Sequence, residues 1–76
     1  MTLACVPYPD LVAMLATEYA EVEFARGAES RGGVVVTFVS PSGTWTLVVV
    51  PPDPGPLMGC PVASGDHFMA IVGELG

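Results

Sequence analysis

The stretch Val34-Val35-Val36-Thr37-Phe38-Val39-Ser40-Pro41-Ser42-Gly43-Thr44-Trp45-Thr46-Leu47-Val48-Val49-Val50 decides the fold. Two runs rich in β-branched and aromatic residues flank Ser40-Pro41-Ser42-Gly43, which supplies proline and glycine at turn positions. It predicts an antiparallel hairpin, with strands over about 33–40 and 44–50. In the second strand Trp45, Leu47 and Val49 share one face, while Thr44, Thr46, Val48 and Val50 share the other. That second face is unusually apolar for solvent exposure.

Working upstream, Glu21-Val22-Glu23-Phe24-Ala25-Arg26 alternates polar and apolar residues. A strand over 21–26 is predicted, with Val22 and Phe24 inward and both glutamates toward solvent. Gly27 to Gly33 reads as a polar, glycine-rich turn. Before it the period is helical: Leu11, Leu15 and Tyr19 recur four apart, flanked by Val12 and Met14, predicting a helix over about 9–19. Pro9 suits a first helical position and Asp10 complements the positive end of the helix dipole.

Downstream, Pro51 to Gly59 holds four prolines and two glycines and is expected to be a loop over 51–59. A fourth short strand follows over about 60–63, with Pro61 suggesting an edge position. Residues 67–76 form an apolar tail, helical or extended. The expected architecture is a single α+β domain: one N-terminal helix packed on a three- or four-stranded antiparallel sheet.

Composition bounds the function. The chain has 76 residues, 51% of them apolar, which excludes disorder driven by charge and polarity. Its mean hydropathy is +0.61, yet its apolar stretches, Val34 to Val39 and Leu47 to Val50, fall far short of a spanning helix, so no membrane partner is expected. Two arginines, no lysine and eight carboxylates give a formal net charge of −6, which argues against direct nucleic-acid binding. Met1 to Asp10 lacks a basic residue and is interrupted by Pro7 and Pro9, so no signal peptide is read there. The expected location is cytoplasmic, with a secreted or periplasmic one as the alternative.

Residues suited to catalysis are sparse. His67 beside Asp66 has no serine or cysteine in a nucleophile motif, and Ser64 lacks the glycine that would precede a nucleophile elbow. Cys5, Cys60 and His67 lack metal-ligand spacing, and Gly32-Gly33 precedes a strand rather than a helix. No enzyme activity, catalytic residue, metal, cofactor or small-molecule partner is expected. Cys5 and Cys60 are 55 positions apart and admit two readings, a bridge closing a long loop or two reduced thiols.

The carboxylates carry the remaining signal. Glu18, Glu21, Glu23 and Glu29 fall between the end of the helix and the first turn. Glu21 and Glu23 on one strand face would stand roughly 6.7 Å apart, close to the axial span of two nucleotides on one DNA strand. Such a row could compete for a basic nucleic-acid groove, or could be a solvated face that keeps an apolar protein soluble.

Two stretches, Ser42-Gly43-Thr44-Trp45-Thr46-Leu47-Val48-Val49 and Cys60-Pro61-Val62-Ala63-Ser64-Gly65-Asp66-His67-Phe68, resemble small uncharacterised proteins of alphaproteobacteria and their phages. Those proteins carry a Gly-Thr-Trp-Thr-Leu strand and a Cys-x-Val-Ala-x-Gly segment ending in an acidic and an aromatic residue. The likeness covers the C-terminal half and the Cys5 position, and it implies a Cys5–Cys60 pair. The chain departs from the pattern in its N-terminus, its longer proline-rich loop and its apolar tail from Met69 onward. By analogy of size and charge it also resembles the stoichiometric inhibitors of mobile elements, such as anti-CRISPR proteins. The expected function is an acidic, non-enzymatic inhibitor that blocks a basic nucleic-acid-binding surface of a host defence complex. Glu18, Glu21, Glu23 and Glu29 would supply charge, and Trp45 or the tail around Phe68 and Ile71 an anchor. The alternative is an envelope or secreted domain held by Cys5–Cys60, structural or ligand-binding.

Overall fold

The computed structural model describes residues 4–69. The elements run β1 (Val6–Pro7), α1 (Tyr8–Tyr19), β2 (Val22–Ala28), β3 (Val34–Val39), β4 (Trp45–Val50) and β5 (Met58–Gly65). The strands form one antiparallel sheet in the order β1-β5-β4-β3-β2. Among the described residues the α+β class and the one helix are as expected, but the sheet has five strands rather than three or four. The additional one is the two-residue β1, in which Val6 faces Gly59 and Pro7 faces Met58.

The expected central hairpin forms, with Val34 opposite Val50 through Val39 opposite Trp45. Its turn is built by backbone and side chain together. Gly43 N–H donates to Ser40 O, Ser40 N–H donates to Thr44 O, and Ser40 Oγ accepts from Thr44 N–H at 3.0 Å. Gly43 sits at φ 98°, a left-handed value that a side chain disfavours, which is why glycine occupies the fourth position. The β2–β3 connection repeats the device. Gly32 N–H donates to Glu29 O, Glu29 N–H donates to Gly33 O, and Gly32 has φ 99°. That turn is shorter than the expected 27–33, because β2 continues to Ala28.

Helix α1 covers one face of the sheet. Leu11 and Leu15 pack with Val36, Phe38, Val48 and Val50 in the core, and Val6, Tyr8, Val12 and Val34 close its margin. The apolar Thr46–Val48–Val50 face is therefore the covered one, which accounts for its composition. The opposite face, with Val35, Thr37 and Val39 beside Trp45, Leu47 and Val49, is half-buried. Burial of Phe38 and Val48 at 0% exposure makes them the packing centre. Each contributes roughly 1.5–3 kcal/mol of transfer free energy.

Two features of the first strand differ from expectation. Val22 and Phe24 are exposed at 62% and 58%, whereas Glu21 is buried at 2%. Alternation holds only as far as Glu23, and the core lies on the other side. Val22 pairs with Val39 and so shares the uncovered face, while Glu23 pairs with Phe38 on the helix side. A register shift between Glu23 and Ala25 then leaves Phe24 without a partner across the ladder. At the other end, β5 extends over Met58–Gly65 rather than 60–63. A second register shift, opposite Leu47 and Val48, accommodates Pro61 and Val62.

Candidate functional site

The expected row of glutamates does not form, and each of its members has a separate environment. Glu18 is exposed on α1. Glu23 accepts hydrogen bonds from Tyr8 Oη at 3.0 Å and from Arg26 Nε at 2.8 Å. The arginine contact, followed by the tyrosine hydroxyl, holds the Glu23 carboxyl below its ordinary range. Burial, reinforced by the Glu23 contact, raises the Tyr8 phenol. Glu29 belongs to its turn, accepting from Arg31 N–H at 2.6 Å and from Arg31 Nε at 3.3 Å. The backbone donor is the main reason its carboxyl also lies below the ordinary range.

Glu21 is the exception among these carboxylates. Helix α1 ends at Ala20, which adopts a left-handed φ of 55°, and Glu21 N–H donates back to Leu15 O. That reversal turns the chain under the helix and directs the Glu21 side chain toward the sheet. There Thr46 Oγ1 donates to Glu21 Oε1 at 2.7 Å. Thr46 is itself buried at 7% exposure, so a carboxylate and a hydroxyl meet away from bulk water. Among the described residues Glu21 is the one buried charged side chain.

The pair lies in a groove of about 560 Å³ between α1 and the β4–β5 strands. Leu11, Met14, Leu15 and Tyr19 form its helical wall, and Pro61 to Gly65 form the strand wall. The signal for this site was present in the sequence. Glu21 sits at a helix–strand junction, where alternation does not determine its direction, and Thr46 is a hydroxyl on an otherwise apolar face.

Of the other sequence candidates, Trp45 lines the same groove as the Glu21–Thr46 pair, whereas His67 and Phe68 do not. The Trp45 indole N–H donates to Asp66 O at 3.2 Å, and the ring lies over Gly65, where an added Cβ would come within 3.0 Å of Nε1. Trp45 is half-buried, serving as a packing element for the end of β5. Phe68 meets Phe24 edge to face with ring centroids 5.4 Å apart, and its N–H donates to Gly43 O. Ile71 and the rest of the expected tail from residue 70 lie outside the described residues. His67 is exposed and contacts Asp66 through Nδ1 at 2.7 Å.

Cys5 and Cys60 are joined by a disulfide. The β1–β5 register explains why: one step beyond Val6 opposite Gly59, Cys5 falls directly opposite Cys60, with Cα atoms 4.2 Å apart. Such closeness is typical of facing residues in an antiparallel pair without mutual hydrogen bonds. No family model matches the chain, and no curated protein or solved structure matches it.

Proposed function

We propose that the chain is a non-enzymatic binding domain of an oxidising compartment, secreted or periplasmic. The observation that supports this reading is the Cys5–Cys60 bridge. Disulfides persist where thiols are oxidised and are rare where glutathione and thioredoxin keep them reduced. A domain this small buries a limited core, and a cross-link compensates by restricting the unfolded chain. For a sequence separation of 55, chain-entropy reasoning gives a stabilisation of about 4 kcal/mol. Thiol titration of protein taken from its native compartment without reductant tests the reading. No free thiol is expected, with a mobility shift on reduction; two titratable thiols per chain would overturn it.

A second reading is a stoichiometric inhibitor covering a basic nucleic-acid-binding surface of a host defence complex, and the net charge of −6 favours it. It would draw on the exposed carboxylates Asp10, Glu18, Asp53 and Asp66 rather than on a glutamate row. Affinity capture from host lysate at two salt concentrations tests it. Recovery of a nucleic-acid-processing complex, lost as salt rises, is the expected result; recovery unaffected by salt removes the charge-based mechanism.

A further inference from the structure

We propose that the groove between α1 and β4–β5 binds an organic cation, an ammonium or guanidinium group carried on an apolar body, with Glu21 as its counter-charge. The inference rests on the binding-domain reading but not on the compartment.

A carboxylate removed from water requires a compensating partner. Glu21, 2% exposed, has only one such donor among the described residues, the neutral Thr46 hydroxyl on Oε1. No fully enclosed side-chain oxygen of the described residues lacks a partner, so Oε2 is not sealed from solvent, and Glu21 is one of the residues that line the groove. The chain has two arginines and no lysine. Arg26 is engaged by Glu23 and Arg31 by Glu29, so neither serves Glu21. The buried carboxylate thus lacks a basic side chain of its own.

The space beside it suits a ligand with an apolar body. About 560 Å³ falls within the usual range of small-molecule sites, and Leu11, Met14, Leu15, Pro61 and Val62 supply apolar walls. A divalent metal fits poorly, since hard cations take six or so oxygen ligands and the described residues bring no three His, Cys, Asp or Glu side chains together. A single carboxylate oxygen with hydrocarbon around it matches one N–H-bearing cation on a hydrocarbon or aromatic frame. The net charge of −6 further concentrates cations near the surface. The expectation that no small molecule binds is replaced here by a defined ligand class.

Calorimetry and amide chemical shifts with tryptamine and agmatine test the site on the intact, disulfide-bonded chain, with indole-3-propionate as an anionic control. Both cations should bind and shift the Glu21 and Thr46 amides, and the anion should not. Glu21→Gln, which can retain the Thr46 contact, should weaken binding about tenfold or more. Met14→Trp, placed at the exposed groove rim, should weaken it while leaving the carboxylate in place. A peptide-borne arginine that binds more tightly than agmatine assigns the cation to a protein partner; equal or weaker binding assigns it to a free amine. Unchanged affinity in folded Glu21→Gln, equal binding of the anion, or no shift at millimolar cation would overturn the proposal. A protein partner captured by a chain that takes no cation would leave the binding-domain reading standing and remove only this site.

Discussion

Thr46 Oγ1 donates a 2.7 Å hydrogen bond to Glu21 Oε1 across 25 sequence positions, joining the junction after α1 to the middle of the sheet. A polar contact at that depth specifies how the helix end sits on β4. It also fixes the carboxylate's position in the groove, because one of its two oxygens is already committed.

Replacing Thr46 by valine keeps the volume and removes the donor. The buried carboxylate then loses its protein partner, at an expected cost of about 1–3 kcal/mol. Chemical denaturation should show a lower midpoint with an unchanged slope. A variant as stable as the parent would show that water replaces the hydroxyl without loss.

Ala20 ends α1 with φ 55°, a conformation disfavoured by its Cβ. Ala20→Gly removes that penalty at a position where the backbone is already left-handed. The expected gain is about 0.5–1 kcal/mol after the larger unfolded-state entropy of glycine is counted. Thermal unfolding with the disulfide intact checks it, and a lower melting temperature contradicts it.

Glu23 and Glu29 both have carboxyl pKa values below the ordinary 4.5, the first chiefly through Arg26 and the second chiefly through the Arg31 backbone N–H. Lowered folded-state values mean that their contribution is fully present above about pH 4.5 and is lost as pH falls through the folded values. Stability should therefore decline on acidification, and less so in the Glu23→Gln, Glu29→Gln double variant. Denaturation midpoints between pH 7 and 3 provide the comparison. Parallel pH profiles for parent and variant would show that other carboxyls govern the response.

The hairpin was legible because two independent signals agreed. β-Branched runs specified strands, and Ser40-Pro41-Ser42-Gly43 specified the reversal between them. Period alone could not orient β2. Alternation states which residues share a face, but the face that α1 covers is a tertiary matter, so Val22 and Glu21 came out reversed. Strand β1 was hidden because two residues carry no periodicity and one of them is Pro7. The full length of β5 was hidden because Gly59, Pro61 and Gly65 read as breakers, whereas a bulge and two close approaches accommodate them. An added Cβ on Gly59 would stand 2.8 Å from Leu11 Cδ2, so the missing side chain there makes room for the helix. The groove escaped notice for a related reason: its walls come from segments distant in the chain, and only Glu21 and Thr46 mark it.

The Cys5–Cys60 bond also encloses the exposed segment from Pro52 to Leu57 within a covalent ring. A single proteolytic cut in that segment opens the ring but does not divide the molecule. The piece carrying α1 and strands β1 to β4 stays linked through Cys5 to the piece carrying β5. Severing the backbone there therefore gives a nicked two-chain protein with β5 still tethered between its neighbours, and only subsequent reduction releases the fragments.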